Sequence, residues 1–373
     1  MRTLFSLRLL LGFSRLLGCF PYAVKLNPPK ITFKKYLLAY SVVFIAFTIT
    51  CVAYLLSTGL PLVFQSGFTV KNITYFVQMM SMVYPVFLYL YSILRIRRLK
   101  DIVQWILHSQ VHQHRSLPKT FDWLSLVYLM ATCATCVYTC IDDLSLADTY
   151  YVAMIVAYNL LILPVFSQPI VLYNALLRLI TLYLKATFAP VDEALLSETP
   201  VFLVKTKADS HGCKSSEEVH HSPSVSVMER LRSVRLGLCD LDQLLRDVND
   251  HFGPLLCVCL ASDQLFVITF LQDLISSRNY SIFVSLIVVL LAFMRILLLM
   301  NSPRMFIRED FPYNYVSPAS PPHQLDEIEH DLANCPKFEV CGLFEIGRQS
   351  LLPMFTFTLS YLLLMAQFVM SEK

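Results

Sequence analysis

The sequence predicts an all-α membrane protein of seven transmembrane helices, with a cytosolic N-terminus, an extracellular C-terminus and a helical anchor region on the cytosolic side. Three observations lead there. Of 373 residues, 56% are hydrophobic and only 15% charged, a balance that soluble domains of this size do not carry. Apolar runs of roughly 20 residues, enough to cross a hydrocarbon core, recur along the chain. The positive charge is segregated to one side of the predicted spans.

Met1–Phe20 has the apolar, arginine-tipped look of a secretory signal. Arg8 and Arg15 interrupt the run, however, no small-residue cleavage site follows, and arginines seven apart share one helix face. Residues 1–35 are therefore read as a retained cytosolic segment with an interfacial helix. Residues 36–176 hold four spans: Tyr36–Ser57, Asn72–Leu94, Phe121–Ile141 and Tyr150–Leu172. Residues 177–251 form a cytosolic stretch of helices and a Ser-rich loop. Residues 252–300 hold spans five and six, Phe252–Ile275 and Ser281–Met300; the fifth carries Asp263 and Gln264 in its middle. After a cytosolic segment, residues 301–345, the seventh span is Ile346–Met370 within residues 346–373.

Orientation follows from Lys and Arg, which are retained on the cytosolic side. Of the 30, seven lie in residues 1–35, six in 95–120, nine in 177–250 and three in 301–345. Lys71, Arg278 and Lys373 fall on the opposite side, while Arg295 and Arg348 are expected to snorkel from helix ends to the inner face. The two N-x-S/T sequons, at Asn72 and Asn279, both fall outside; Asn279 is the expected glycosylation site, Asn72 being too close to the membrane.

Cys51, Cys133, Cys136, Cys140, Cys257 and Cys259 lie within spans, which argues against a disulfide framework. The stripe Cys133, Cys136, Cys140 reads as small-residue helix packing rather than a metal or redox site. His211, Cys213, His220 and His221 lack ligand spacing and read as a solvated loop. No metal, cofactor or nucleic-acid partner is expected.

Val227, Leu231, Val234, Leu238, Leu241, Leu245, Val248 and Phe252 form an apolar seam at alternating spacings of four and three, with Gly253-Pro254 marking its junction with the fifth span. Such a helix needs an apolar partner, either within the chain or on another subunit.

No nucleophile elbow, phosphate loop, zincin helix or dinucleotide fingerprint is present, so the residues give no support for an enzyme. The informative element is the last helix. Gln349, Thr356, Ser360 and Gln367, spaced 7, 4 and 7, fall on one stripe, with Leu363 and Leu364 filling the gap. A polar stripe on a membrane helix packs against its own bundle or lines water, and the second requires several subunits about an axis.

The run Ser360-Tyr361-Leu-Leu-Leu-Met-Ala-Gln367-Phe368 resembles the Thr-Tyr, five apolar residues, Gln-Phe signature that ends the last helix of insect gustatory receptors, with Ser for Thr keeping the hydroxyl. Leu17-Gly18-Cys19-Phe20-Pro21-Tyr22, the Val248-Asn249 and Phe252-Gly253 pairs within Leu241–Leu255, and Cys341-Gly342-Leu343-Phe344-Glu345-Ile346 agree with the same family. The resemblance, which extends to the related insect odorant receptors, implies a tetrameric, ligand-gated, non-selective cation channel. It would be homomeric, or heteromeric with other gustatory receptors, in the plasma membrane of a sensory dendrite. Gln367 and Phe368 would form the outer gate, with Ser360 and Thr356 below. A small-molecule tastant would bind within each subunit among the outer halves of spans two to six. The lining expected here is Tyr75, Gln78, Met79, Met82, Thr135, Tyr138, Tyr151, Met154, Tyr158 and Phe283. Sugar-responsive relatives carry an acidic residue just after the motif tyrosine. Leu362 at that position favours a bitter or deterrent plant compound, with sugar sensing the alternative. A G-protein-coupled receptor would need the opposite orientation, and a transporter would show internal repeats and broken helices that are not present.

Overall fold

The computed structural model describes residues 2–26, 29–65, 83–112, 127–135, 137, 165, 167–181, 183, 225–276, 282–301 and 339–371. Helix α1 (Arg2–Leu16) closes at Gly18, whose left-handed φ of 75° lets the Cys19 amide turn back onto the Ser14 carbonyl at 2.8 Å. The predicted interfacial helix is tied into the protein: Leu11, Ser14 and Leu17 are buried, and Gln168 Nε2 donates to Ser14 Oγ at 2.6 Å. A hairpin follows, strand β1 (Tyr22–Leu26) pairing antiparallel with β2 (Pro29–Phe33).

Helix α2 (Lys35–Gln65) contains that first span, and its Lys35–Thr58 part is long and apolar enough to cross a bilayer. Helix α3 (Val83–Leu94) is the described end of the second span, and α4 (Ile96–His112) continues from it after a turn at Arg95. On α4, Leu99, Ile102, Val103, Ile106 and Leu107 are buried, the one-sided stripe of an amphipathic helix packed against protein. Helical residues 127–135 (α5) and 167–181 (α6) belong to the third and fourth spans, and the fourth runs on past its predicted end at Leu172, as expected.

The seam and the fifth span lie on one long helix, α7 (Val225–Ser276). Its 52 residues, about 78 Å at 1.5 Å per residue, run without a break through Gly253-Pro254, the expected junction of the two. Proline 254 has no N–H for the carbonyl four residues earlier, and the helix survives because the Tyr91 hydroxyl donates to the Asp250 carbonyl at 3.1 Å. The preceding glycine is also accounted for. A Cβ on Gly253 would stand 3.2 Å from the Cys341 amide nitrogen, so the bare backbone admits strand β3 (Glu339–Val340) against the helix.

From Leu238 onward the apolar seam on α7 is filled from within the chain; the side chains of Val227, Leu231 and Val234 lie outside the described residues. Leu238, Leu241, Leu245, Val248 and Phe252 are all nearly inaccessible and share one core with Leu88, Tyr89, Ile102, Tyr173 and Leu176. The Phe252 and Tyr173 rings lie 5.5 Å apart. Helix α8 (Ile282–Asn301), the sixth span, packs along α7.

Strand β3 pairs with β4 (Phe344–Glu345) through a turn at Cys341 and Gly342, with φ of 53° and 69°. The positive φ at both positions is the backbone of a type I′ hairpin turn. A 3₁₀ turn, Arg348–Ser350, then leads to helix α9 (Leu351–Ser371). The seventh span thus begins at Leu351 rather than Ile346, because Val340 pairs with Phe344 and the Ser350 hydroxyl donates to the Glu345 carbonyl at 2.5 Å, committing that backbone to a turn.

Candidate pore helix and the polar contacts behind it

Among the described residues, helix α9 touches the rest of the chain along one side. Leu351, Met354, Thr358 and Tyr361, spaced 3, 4 and 3, are its half-buried residues and face α7. At 3.6 residues per turn, Thr356, Ser360, Leu363 and Gln367 fall on roughly the opposite side, and all four are exposed, as is Leu364 beside them. From Thr356 onward these residues share one face, turned away from the described part of the chain. Gln349 does not extend it. It sits on the 3₁₀ turn, exposed, where the seven-residue spacing to Thr356 no longer measures helix turns. The Thr356 hydroxyl donates to the Leu352 carbonyl at 2.9 Å, the usual rest position of a threonine within a helix.

Of the residues expected to line a ligand pocket, Thr135 on α5 is buried and donates to the Ala131 carbonyl at 2.9 Å. Tyr75, Gln78, Met79, Met82, Tyr138, Tyr151, Met154 and Tyr158 lie outside the described residues, as do Asn279 and the side chains of Phe283 and Phe368. A separate cavity of about 140 Å³ opens between α7, α8 and α9, lined among others by Val267, Val289, Phe293, Met354 and Phe355. It includes none of the pocket residues expected from the sequence.

The sequence reading missed the group that binds the spans together. Arg295 was expected to snorkel to the inner face. It is instead 2% exposed and ion-paired with Asp263, 1% exposed, on α7. The geometry has a simple cause. Asp263 lies 13 residues before the end of α7 and Arg295 13 residues after the start of α8, so the packing of these consecutive helices brings the two to the same level. A mid-span aspartate facing a span with one arginine was the available signal. An isolated charge at that depth costs several kcal/mol, by roughly 2.5 to 3.5 on insertion scales, and is kept only with a partner.

The Arg295 guanidinium also faces the Tyr128 hydroxyl of α5. Tyr128 in turn shares a hydrogen bond with Ser167 of α6 at 2.7 Å, both buried. On the other side of the pair, Gln264 Oε1 lies 2.5 Å from the Thr358 hydroxyl of α9, and the Phe293 ring meets Phe355 at 5.1 Å.

Outside the spans, His251 is buried at the base of this bundle between Tyr91 and Phe252, with ring centroids 6.2 and 4.9 Å away. Burial, reinforced by Arg95 and Arg98, pushes its imidazole down to about 4, so it is neutral at physiological pH. Arg98 pairs with Asp250 at 2.8 Å on the exposed side. Among the described residues no group of three or more His, Cys, Asp or Glu is placed to hold a metal ion.

The described helices pack into a bundle with one buried ion pair, Asp263–Arg295, and an apolar terminal helix along its edge. The chain belongs to the 7tm chemosensory receptor family, whose model matches residues 7–309. Its fold is similar to that of the insect olfactory receptor OR5 from Machilis hrabei in complex with eugenol, at a TM-score of 0.64 and 13% identity, covering 97% of each chain. A second structure of the same receptor gives 0.63 at 12% identity, covering 96% of each. No curated protein matches by sequence. The expected seven-helix chemoreceptor fold is thereby borne out.

Proposed function

We propose that the chain is a gustatory receptor subunit that assembles as a tetrameric, ligand-gated, non-selective cation channel in the plasma membrane, N-terminus inside, with α9 of each subunit lining the pore. The observation that carries this reading is the exposed face of α9: Thr356, Ser360 and Gln367 point away from the side on which, among the described residues, the helix meets its own chain. Hydroxyls and amides on a membrane helix are not left to hydrocarbon, and copies of α9 about an axis would turn that face toward water. Gln367 and Phe368 then form the outer constriction, with Leu363 and Leu364 at its flank, where a hydrophobic ring gates by dewetting.

The opening ligand is a small molecule bound within each subunit, and Leu362 after the motif tyrosine favours a bitter or deterrent plant compound over a sugar. Asn279 is the outer glycosylation site. Cells expressing the chain, screened with sugars, alkaloids and glycosides, identify the activating class. With that compound applied, single cysteines at Thr356, Ser360 and Leu364 are expected to react with charged thiol reagents and change the current. Cysteines at Met354 and Tyr361, which face α7, are expected not to. Robust currents with no effect at the first three positions would remove α9 from the conduction path.

A further inference from the structure

Three of the bundle's polar contacts are adjacent in sequence or space and join elements that the pore reading treats separately. Asp263 is ion-paired with Arg295, the neighbouring Gln264 meets Thr358 on α9, and Arg295 faces Tyr128 on α5, one turn from Thr132 and two from Thr135. The ion pair is not saturated. Asp263 Oδ2, Arg295 Nε and the adjacent Ser262 hydroxyl are buried without a hydrogen-bond partner among the described residues. A buried pair with unused donors and acceptors has a second set of bonds open to it when a neighbouring helix shifts, which is the physical requirement for a two-state element. Thr358 also has an alternative acceptor, the Met354 carbonyl at 2.9 Å, so its hydroxyl can leave Gln264 without being orphaned.

We infer that the Asp263–Arg295 pair is the positioning element that holds the pore helix in its resting place, acting through Gln264 on Thr358, and that displacement of α5 reaches the pore helix through Tyr128 and this pair. The inference rests on the channel reading above. Asp263 and Arg295 lie on α7 and α8 and act through the contact on α9.

The test uses the full-length chain. Gln264→Cys with Thr358→Cys, in a parent first shown to give no such cross-link, is oxidised with copper phenanthroline and the cross-linked fraction read on gels. Asp263→Leu with Arg295→Met removes both charges while keeping apolar volume, an exchange that buried ion pairs commonly tolerate. The cross-linked fraction is expected to fall at least threefold. Separately, sodium leak without added ligand, measured against N-methyl-D-glucamine at matched surface expression, is expected to rise roughly three- to tenfold in Thr358→Val and Gln264→Leu, the range given by one net hydrogen bond. Thr358→Ser should restore the parent value, which a purely steric role for the side chain would not require of the hydroxyl.

An unchanged cross-linked fraction, or leak unchanged or reduced in both single variants, overturns the inference. If the charge-free double variant does not reach the surface, the Thr358→Val and Gln264→Leu leak decides. Cross-linking that falls as expected in a parent that passes no cation current with any compound of the screen would instead overturn the pore reading and leave the positioning of α9 standing.

Discussion

Replacing Leu241 by alanine asks whether the apolar seam of α7 belongs to the fold or to the assembly. Leu241 is fully buried in the single chain, within the core that also holds Leu245, Val248, Phe252 and Tyr173. Removing the equivalent of three methylene groups forfeits about 2.4 kcal/mol of transfer free energy at 0.8 kcal/mol each. The cavity left among neighbours fixed on other helices adds to it, so the whole loss is about 3 to 5 kcal/mol. Leu236, two thirds exposed on the same helix, is the control, and its alanine variant is expected to stay within about 0.5 kcal/mol of the parent. Thermal challenge of detergent-solubilised, fluorescently tagged protein followed by size exclusion reads both quantities at once. The melting midpoint should fall by several degrees for Leu241→Ala, and equally in fractions diluted until the oligomer dissociates. If Leu241→Ala leaves the midpoint of the dissociated protein unchanged while weakening the oligomer, the seam is a subunit contact and the core assignment is wrong.

Gly253→Val places a branched side chain where a Cβ already stands 3.2 Å from the Cys341 nitrogen; it should displace the β3–β4 hairpin from α7 and cost about 1 to 3 kcal/mol, read as a lower melting midpoint and faster proteolysis after Lys337. Tyr91→Phe removes the hydrogen bond that stands in for the missing proline amide, with an expected loss of about 1 kcal/mol at this exposed site; a midpoint equal to the parent would show that water replaces it. His251, held down to about 4 against an ordinary 6.5, refuses a proton that the unfolded chain takes up between those values. Its contribution is therefore fully present above pH 6.5 and drains as pH falls toward 4, by at most about 3 kcal/mol at 1.36 per unit. His251→Phe should flatten the melting midpoint across that window, and an unaltered slope would assign the dependence elsewhere. Gln367→Ala removes a ring of amide dipoles from the proposed pore mouth and should shift the reversal potential under bi-ionic conditions, whereas an identical potential at normal surface expression would place Gln367 outside the pore.

Hydrophobic length and charge placement are one-dimensional properties, so the sequence by itself determined the membrane class, the helical fold and the composition of the last helix. The heptad spacing from Val227 to Phe252 likewise required a buried seam, because a helix in water cannot leave eight apolar side chains on one face. Which surface filled it was undetermined, since a seam records the need for a partner and not its identity. From Leu238 to Phe252 the tertiary structure supplied α3, α4 and α6 of the same chain. Pro254 looked like a boundary for the same kind of reason: the sequence shows a lost donor, but not that Tyr91, 163 positions away, completes the helix. Gln349 fell off the stripe because spacing becomes direction only once the backbone is known to be helical. Arg295 was the largest gap. Read alone, a long cationic side chain near a span end goes to water; only the packing of α8 on α7 put Asp263 within reach, so that each buried charge has its partner there.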